Sequence, residues 1–419
     1  MKITILASGS RGDVQPMVAL GRGLALAGYD VTVAAPKNFA DLAAAHGLAF
    51  HGFSVDVEEL LRSDLARSWL GHSSQSPMRE LRLLTELVEQ WAEPMAAETL
   101  ALAGTADLFI SGIMTVGAVA ALAERTGAGH VSALLAPFHP SAAGSAGLHA
   151  GRRERVSRLN RLAAEGVLWG VARGFGSPGV RLRHLLDEPA QYRRDYRRAL
   201  LTTPTILGAS PLVVPRPRDW PGWVEVTGYW VLPGDPGWRA DAELLEFLAA
   251  GEAPVYLGFG SMSTHDPDGT WETLLAGLGD RRALVHSGGA DLAQVAEATD
   301  RIRVVGDVPH EWLFSRMRGV VHHGGAGTTA AGLRSGVPSA AVPHIGDQPY
   351  WGRRIAELGA GPNPVRRHRL TPDSLRALVA EFDEPRLRDR AARLGTQLRR
   401  EDGIARAVAV LAEFGFAPS

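Results

Sequence analysis

Short apolar runs alternate with helical segments along this chain, and the alternation occurs twice. Apolar runs fall at 2–7, 31–35, 107–110 and 130–135, with helical periodicity between them. The series restarts with runs at 254–259, 302–305, 319–322 and 337–342, and helix-like segments at 309–316, 327–335 and 348–358 intervene. Successive strands can run in the same direction only if something carries the chain back, and a helix does so. The alternation therefore predicts parallel sheets covered by helices, with ligands taken at the carboxyl ends of the strands. Two series predict an α/β protein of two Rossmann-like domains whose sheets face a cleft.

The length of 419 residues agrees, being too great for one ordinary core. Between the series lies "VVPRPRDWPGWVEVTGYWVLPGDPGW", rich in proline and carrying Trp220, Trp223, Trp230 and Trp238. Proline stiffens a connection and tryptophan needs cover, so this reads as a packed linker. The expected division is 1–214, a first Rossmann-like domain; 215–238, the linker; and 239–419, a second Rossmann-like domain. The last helix is expected to return to the first domain.

Composition narrows the function. A formal net charge of −1 gives no reason to expect nucleic acid. The absence of cysteine excludes disulfides, thiolate metal sites and a cysteine nucleophile. The first residues enter a strand without a charged leader, so no secretion signal is expected. The longest largely apolar stretch, Ile113 to Ala123, falls short of the roughly 20 residues that span a bilayer. A cytoplasmic protein with no membrane span is the expectation. Lys2 and Lys37 are the only lysines among 44 basic residues, which suggests a GC-rich bacterial coding bias. Residues 152–198 hold twelve arginines against five acidic residues. Solvated helix faces are the plain reading of that run, and a basic surface for a lipid or an anionic acceptor is the sharper one.

Two loops carry the chemistry. After the first strand come Ser8-Gly9-Ser10-Arg11-Gly12-Asp13, and the chain restarts as a helix with Pro16 near its first turn. The glycine spacing is not that of a G-x-G-x-x-G dinucleotide turn. Asp13 reads either as a helix cap or as part of a site. The second loop is "HHGGAGTT", where a strand ends at His322 and a helix begins around Ala326 to Thr328. Amide groups at a helix start form an anion site. Gly324, Gly325 and Gly327 let a phosphate approach, and His322 and Thr328 can add donors. His323, next along the strand, points the opposite way and reads as structural.

The segment from "GVVHHGGAGTTAAG" through "IGDQPYWGRRIAELGAG", residues 319–361, resembles the donor-binding motif of nucleotide-sugar glycosyltransferases of the GT-B fold, which implies that 1–214 is the acceptor-binding domain and 239–419 the nucleotide-sugar-binding domain. It is most similar to bacterial enzymes that decorate antibiotics, of the vancomycin-group and angucycline kinds, and to sterol glucosyltransferases. The first loop, the "DWP…VTGYW" linker and "LGFGSM" at 257–262 share the resemblance. It implies that His322 and the backbone of Gly324, Gly325, Ala326, Gly327 and Thr328 hold a donor diphosphate. It further implies that Ser261 reaches a phosphate, and that Ser10, Arg11 and Gly12 close on it from the other domain. Val308 would meet the base through its main chain, while Asp347 and Gln348 would bond the sugar hydroxyls.

The chain departs from the family pattern at two places. Asp307 stands where many relatives stack a tryptophan on the base, so UDP and dTDP both remain open as the donor nucleotide. Asp13 stands where plant and macrolide relatives have a histidine base, and Ser111 where the supporting aspartate would be. A carboxylate needs no partner to select a tautomer, which favours Asp13 as the base itself.

The resemblance thus implies an inverting, metal-independent glycosyltransferase. It would move a sugar from a nucleoside diphosphate to a hydroxyl of a hydrophobic small molecule such as a polyketide, glycopeptide or sterol-like product. Asp13 and His322 would be catalytic, and neither cofactor nor metal would be needed. Asp266-Pro267-Asp268 could be read as a metal pair, but that string is also an ordinary turn. His139, His149, Trp69, Trp91, Phe138, Trp169 and Phe175 divide between core and acceptor pocket. A nucleotide-sugar epimerase and a non-catalytic auxiliary protein on the same fold are the rival readings.

Overall fold

A computed structural model of the chain describes residues 1–55, 63, 77–148, 155–235, 237–259, 267–286 and 300–418. The described residues form two compact units, the first taking in nearly all of 1–232 together with 401–419, the second 233–400.

The first unit is built on Lys2–Leu6 (β1), Asp30–Pro36 (β2), Ala49–Phe53 (β3), Leu108–Ser111 (β4), Gly129–Leu134 (β5), Thr205–Leu207 (β6) and Val224–Val226 (β7). They lie in the order β3-β2-β1-β4-β5-β6-β7, with neighbours parallel throughout. The pleat sends alternate side chains to opposite faces. Ile3, Ile5, Val33, Ile110 and Val131 pack against Met17, Val18, Leu20 and Leu24 of the helix Arg11–Leu26 (α1). Leu6 and Phe109 pack on the other face with Phe53, Trp91 and Met95. Because the strand order turns back at β1, the loops after β1 and β4 part at the carboxyl edge, where such sheets take ligands.

The second unit repeats the plan with Val255–Gly258 (β8), Ala283–His286 (β9), Ile302–Val305 (β10), Gly319–His322 (β11) and Ser339–Ala341 (β12). Their order is β10-β9-β8-β11-β12, again parallel throughout. Val255 and Leu257 bury on one face with Phe382 and Leu378. Tyr256 buries on the other with Phe314 and Leu313. The helices Ala326–Ser335 (α2) and Gln348–Glu357 (α3) follow β11 and β12. Their first residues stand at the carboxyl edge, on one side of the point where the strand order turns back.

Two local features differ from the expectation. Pro16 lies in the second turn of α1, not the first. It lacks an N–H for the Gly12 carbonyl, and the helix continues because packing on the sheet holds it. Within 215–238 the chain forms β7, and Trp220 and Trp230 are each 4% exposed. Their indole N–H groups donate to the His139 carbonyl at 3.1 Å and to Thr227 Oγ1 at 3.0 Å. The final helix, Gly403–Glu413 (α4), packs on α1. Its Ala407, Val410 and Leu411 join the core beside Leu24. Among the described residues no helix is long and apolar enough to cross a membrane.

Candidate active site

In the first unit, β1 runs into Ala7–Ser10 and α1 starts at Arg11, with Ser10 as its N-cap in an extended conformation. Asp13 is the third residue of the helix, not the residue before it. Its carboxylate Oδ2 accepts from the Ser10 amide at 2.9 Å and from the Ser10 hydroxyl at 3.1 Å. This is the return arm of a capping box, so Asp13 does serve the helix start. The arrangement depends on Gly9. Its φ of +125° is one that side chains rarely adopt, and a Cβ there would stand 2.3 Å from Asp13 Oδ2. Asp13 remains partly exposed. Arg11 and Gly12 are exposed on the first turn, and the Arg11 Nε donates to Gln15 at 3.0 Å. Ser111 does not act as a second acidic support. Its hydroxyl lies 2.7 Å from His130 Nε2 on β5, and burial lowers the pKa of that histidine to about 3.

In the second unit, β11 ends at His322, whose side chain is fully buried. The Gly324 amide donates to its Nδ1 at 3.0 Å, which places the proton of the neutral ring on Nε2. Burial, with smaller effects from His323 and His310, lowers its pKa to about 3, so the ring is neutral at working pH. Nε2 has no partner among the described residues. The ring thus offers one buried N–H donor at the foot of α2.

The start of α2 is open. Gly325 is its N-cap, and no side chain caps it. Thr329 is the first residue to bond back, to the Gly325 carbonyl at 2.9 Å. The amides of Ala326, Gly327 and Thr328 therefore lack intrahelical partners. A Cβ at Gly327 would meet nothing within 4 Å, so that side of the turn is open space. Gly324, at φ +90°, would carry a Cβ 2.9 Å from the Gln348 carbonyl oxygen. Its missing side chain is what brings this turn against the start of α3. His323 stands edge-on to His322, with ring centroids 6.4 Å and planes 89° apart, and its pKa is lowered to about 4 by burial.

At the start of α3 the two expected sugar ligands are already engaged. Asp347 is the N-cap, and its Oδ2 accepts from the Trp351 indole at 2.7 Å. Burial raises its pKa, against the opposing effects of that hydrogen bond and of one from its own backbone amide. Gln348 is buried and accepts at Oε1 from the amides of His344 at 2.8 Å and Ile345 at 3.1 Å. The motif does not advertise either attachment. The spacing of Asp347 and Trp351, one helical turn apart, is the signal that could have revealed the first.

Val308 follows β10 and packs, partly buried, beside Leu313 and Phe314. Asp307 is exposed, 3.5 Å from His286 Nε2. Of the candidate pocket aromatics, Trp91 is core, Phe175 packs against that core, and Trp169 is 39% exposed. His139 is buried, and its pKa is lowered to about 4. Ser261, Trp69, His149 and Asp266 lie outside the described residues, as does the side chain of Asp268. Among the described residues no group of His, Asp and Glu could hold a metal ion.

Known proteins share this plan. Residues 3–126 match the glycosyltransferase family 28 N-terminal domain. Residues 274–407 match the erythromycin biosynthesis protein CIII-like C-terminal domain. The chain is 33% identical to the O-mycaminosyltylonolide 6-deoxyallosyltransferase of Streptomyces fradiae, over 99% of this chain and 97% of that one. It is also 33% identical to the sterol 3-beta-glucosyltransferase UGT80B1 of Arabidopsis thaliana, over 97% of this chain and 67% of that one. It spans 64% of a second Arabidopsis sterol glucosyltransferase and 27% of the Candida albicans one. Among solved structures, the calicheamicin glycosyltransferase CalG4 superposes with a TM-score of 0.66 at 19% identity, covering 99% of this chain and 98% of that one. The glycosyltransferase VinC in complex with DTDP does so with a TM-score of 0.62 at 21% identity, covering 99% of each.

Proposed function

The chain belongs to the GT-B glycosyltransferases with family 28 and erythromycin CIII-like parts, and from that premise we propose that it is an inverting, metal-independent transferase. Its donor is a nucleoside diphosphate sugar, UDP- or dTDP-linked, and its acceptor a hydroxyl of a hydrophobic natural product. The observation that carries the reading is the uncapped start of α2 with the His322 Nε2 donor at its foot.

As the bond from the anomeric carbon to the diphosphate breaks, negative charge grows on the leaving oxygens. The amides of Ala326, Gly327 and Thr328, the positive end of α2 and the neutral N–H of His322 are fixed in place to receive it. Donors already oriented need no reorganisation during the reaction, which is where such sites gain their effect. Asp13 takes the proton of the acceptor hydroxyl as that oxygen attacks the opposite face of the sugar, so the anomeric configuration inverts in one displacement. A carboxylate cannot ionise an alcohol in advance. It can accept the proton late, when attack has made the hydroxyl acidic. Asp347 and Gln348 hold sugar hydroxyls, and the Val308 main chain meets the base.

The test is His322→Ala, compared with the parent by nucleoside diphosphate titration and single-turnover kinetics. Loss of a hydrogen bond to a charged group is worth about 1.5–3 kcal/mol, or about ten- to a hundred-fold in rate or affinity. Unchanged donor binding and rate in a folded variant would contradict the reading.

A further inference from the structure

Two sets of hydrogen bonds decide which atoms of Asp347 and Gln348 are left for a ligand. Trp351 is 1% exposed and stands one turn along α3 from Asp347. Its indole N–H donates to Asp347 Oδ2 at 2.7 Å. The roles cannot be exchanged, since indole has one donor and no acceptor. The amides of His344 and Ile345 both donate to Gln348 Oε1. Backbone amides donate and never accept, so the side-chain oxygen must face the turn and the Nε2 group must face away from it.

We propose that Trp351 is a positioning residue for the sugar of the donor. With Asp347 Oδ2 held by the indole and Gln348 Oε1 held by the turn, the pair meets the sugar as a fixed acceptor, Asp347 Oδ1, beside a fixed donor, Gln348 Nε2. The inference rests on the proposed role of these two residues in sugar binding.

The polarity of the pair defines a substrate class. One sugar hydroxyl donates to Asp347, and another accepts from Gln348. The fitting donors are nucleoside diphosphate sugars that keep both of these hydroxyls. A sugar deoxygenated at either position leaves a polar group of the site unpaired, and sites built around a hydroxyl reject such analogues strongly.

A double-mutant cycle tests the role of Trp351, because residues that act through one another do not show independent losses. In Asp347→Asn the indole keeps the side-chain oxygen and turns the amide N–H groups toward the sugar, replacing acceptor by donor. Adding Trp351→Phe releases the amide to turn its oxygen back. Asp347→Asn is expected to lower kcat/KM for the nucleotide sugar by about ten- to a hundred-fold, and Trp351→Phe by up to about tenfold. The double variant should be no worse than Asp347→Asn alone, with binding of free nucleoside diphosphate unchanged in all three.

Losses that multiply, or an unaffected Trp351→Phe, overturn the proposal while leaving the functional reading standing. A silent Asp347→Asn overturns the reading and the proposal together. Should Trp351→Phe fail to fold, Gln348→Glu replaces it. That change keeps one oxygen on the turn amides and puts a charged acceptor where the donor stood. It should lower kcat/KM for the nucleotide sugar with nucleoside diphosphate binding intact, and equal losses for both ligands overturn the proposal.

Discussion

Asp13 reaches back over one helical turn to Ser10, accepting from both its amide and its hydroxyl through the single oxygen Oδ2. Serving the helix start and serving the reaction are thus both open to this residue, and substitution separates them. Asp13→Asn retains an oxygen for the Ser10 amide but loses nearly all basicity. We expect it to fold, to bind donor normally, and to lose turnover by about 10²–10⁴-fold, the usual worth of a positioned general base. A capping-box role alone would survive the change with activity intact, because the Asn oxygen can still accept from the Ser10 amide. Single-turnover rates with an alcohol acceptor, alongside thermal unfolding, distinguish the two outcomes. A phenolic acceptor should show the smaller loss, since it releases its proton more readily.

Gly9 should be as necessary to this loop as Asp13. A methyl group there would approach Asp13 Oδ2 to 2.3 Å and Met114 Cε to 2.5 Å, at a φ of +125°. Gly9→Ala is expected to cost about 1–3 kcal/mol of stability from backbone strain and to push the carboxylate from its seat. Turnover should fall toward the level of Asp13→Asn. Urea unfolding and the same rate assay check both effects, and a stable, active variant would contradict the assigned geometry.

The buried histidines make stability depend on pH in a definite direction. Burial lowers His322 and His344 to about 3 and His139 to about 4, and the partly exposed His130 and His323 are lowered in the same direction. The unfolded chain, with ordinary histidines, takes up protons first as the medium is acidified. Stability is therefore complete above about pH 6.5 and falls as pH drops from there toward 4, by at most about 1.4 kcal/mol per pH unit for a fully buried histidine and by less for the partly exposed ones. Denaturant unfolding at pH 7.5, 6 and 5 should show this decline, and His130→Gln should make it shallower. A flat profile would mean that these rings are not buried in neutral form.

Much of the fold is legible in the chain because parallel sheets demand continuous apolar runs with helices between them. The runs at 302–305 and 319–322 coincide with β10 and β11. Val224–Val226 escapes notice because three residues among prolines carry no period, and register against β6 supplies what local pattern lacks. The site is legible to the same depth. Glycines at 324, 325 and 327 mark the turn and the open helix start, but only Gly327 faces open space; Gly324 lies against the Gln348 carbonyl and Gly325 against His323, so these two serve packing and not ligand approach. The partners that orient the site are hidden. Nothing in the residue types indicates that Gln348 spends its oxygen on His344 and Ile345, or that Asp13 folds back onto Ser10. Such contacts depend on the path of the loop, which propensity does not determine.

The central claim is sugar transfer with inversion from a nucleoside diphosphate donor. It is tested most directly by proton NMR of the purified protein, in buffer containing a chelator, with UDP- or dTDP-sugar and a panel of hydrophobic alcohols and phenols. The expected result is loss of the donor's anomeric signal in step with release of nucleoside diphosphate and appearance of a glycoside of the opposite anomeric configuration. Conversion of the donor to an isomeric nucleotide sugar without acceptor, a glycoside of retained configuration, or turnover only after magnesium or manganese is added would contradict it.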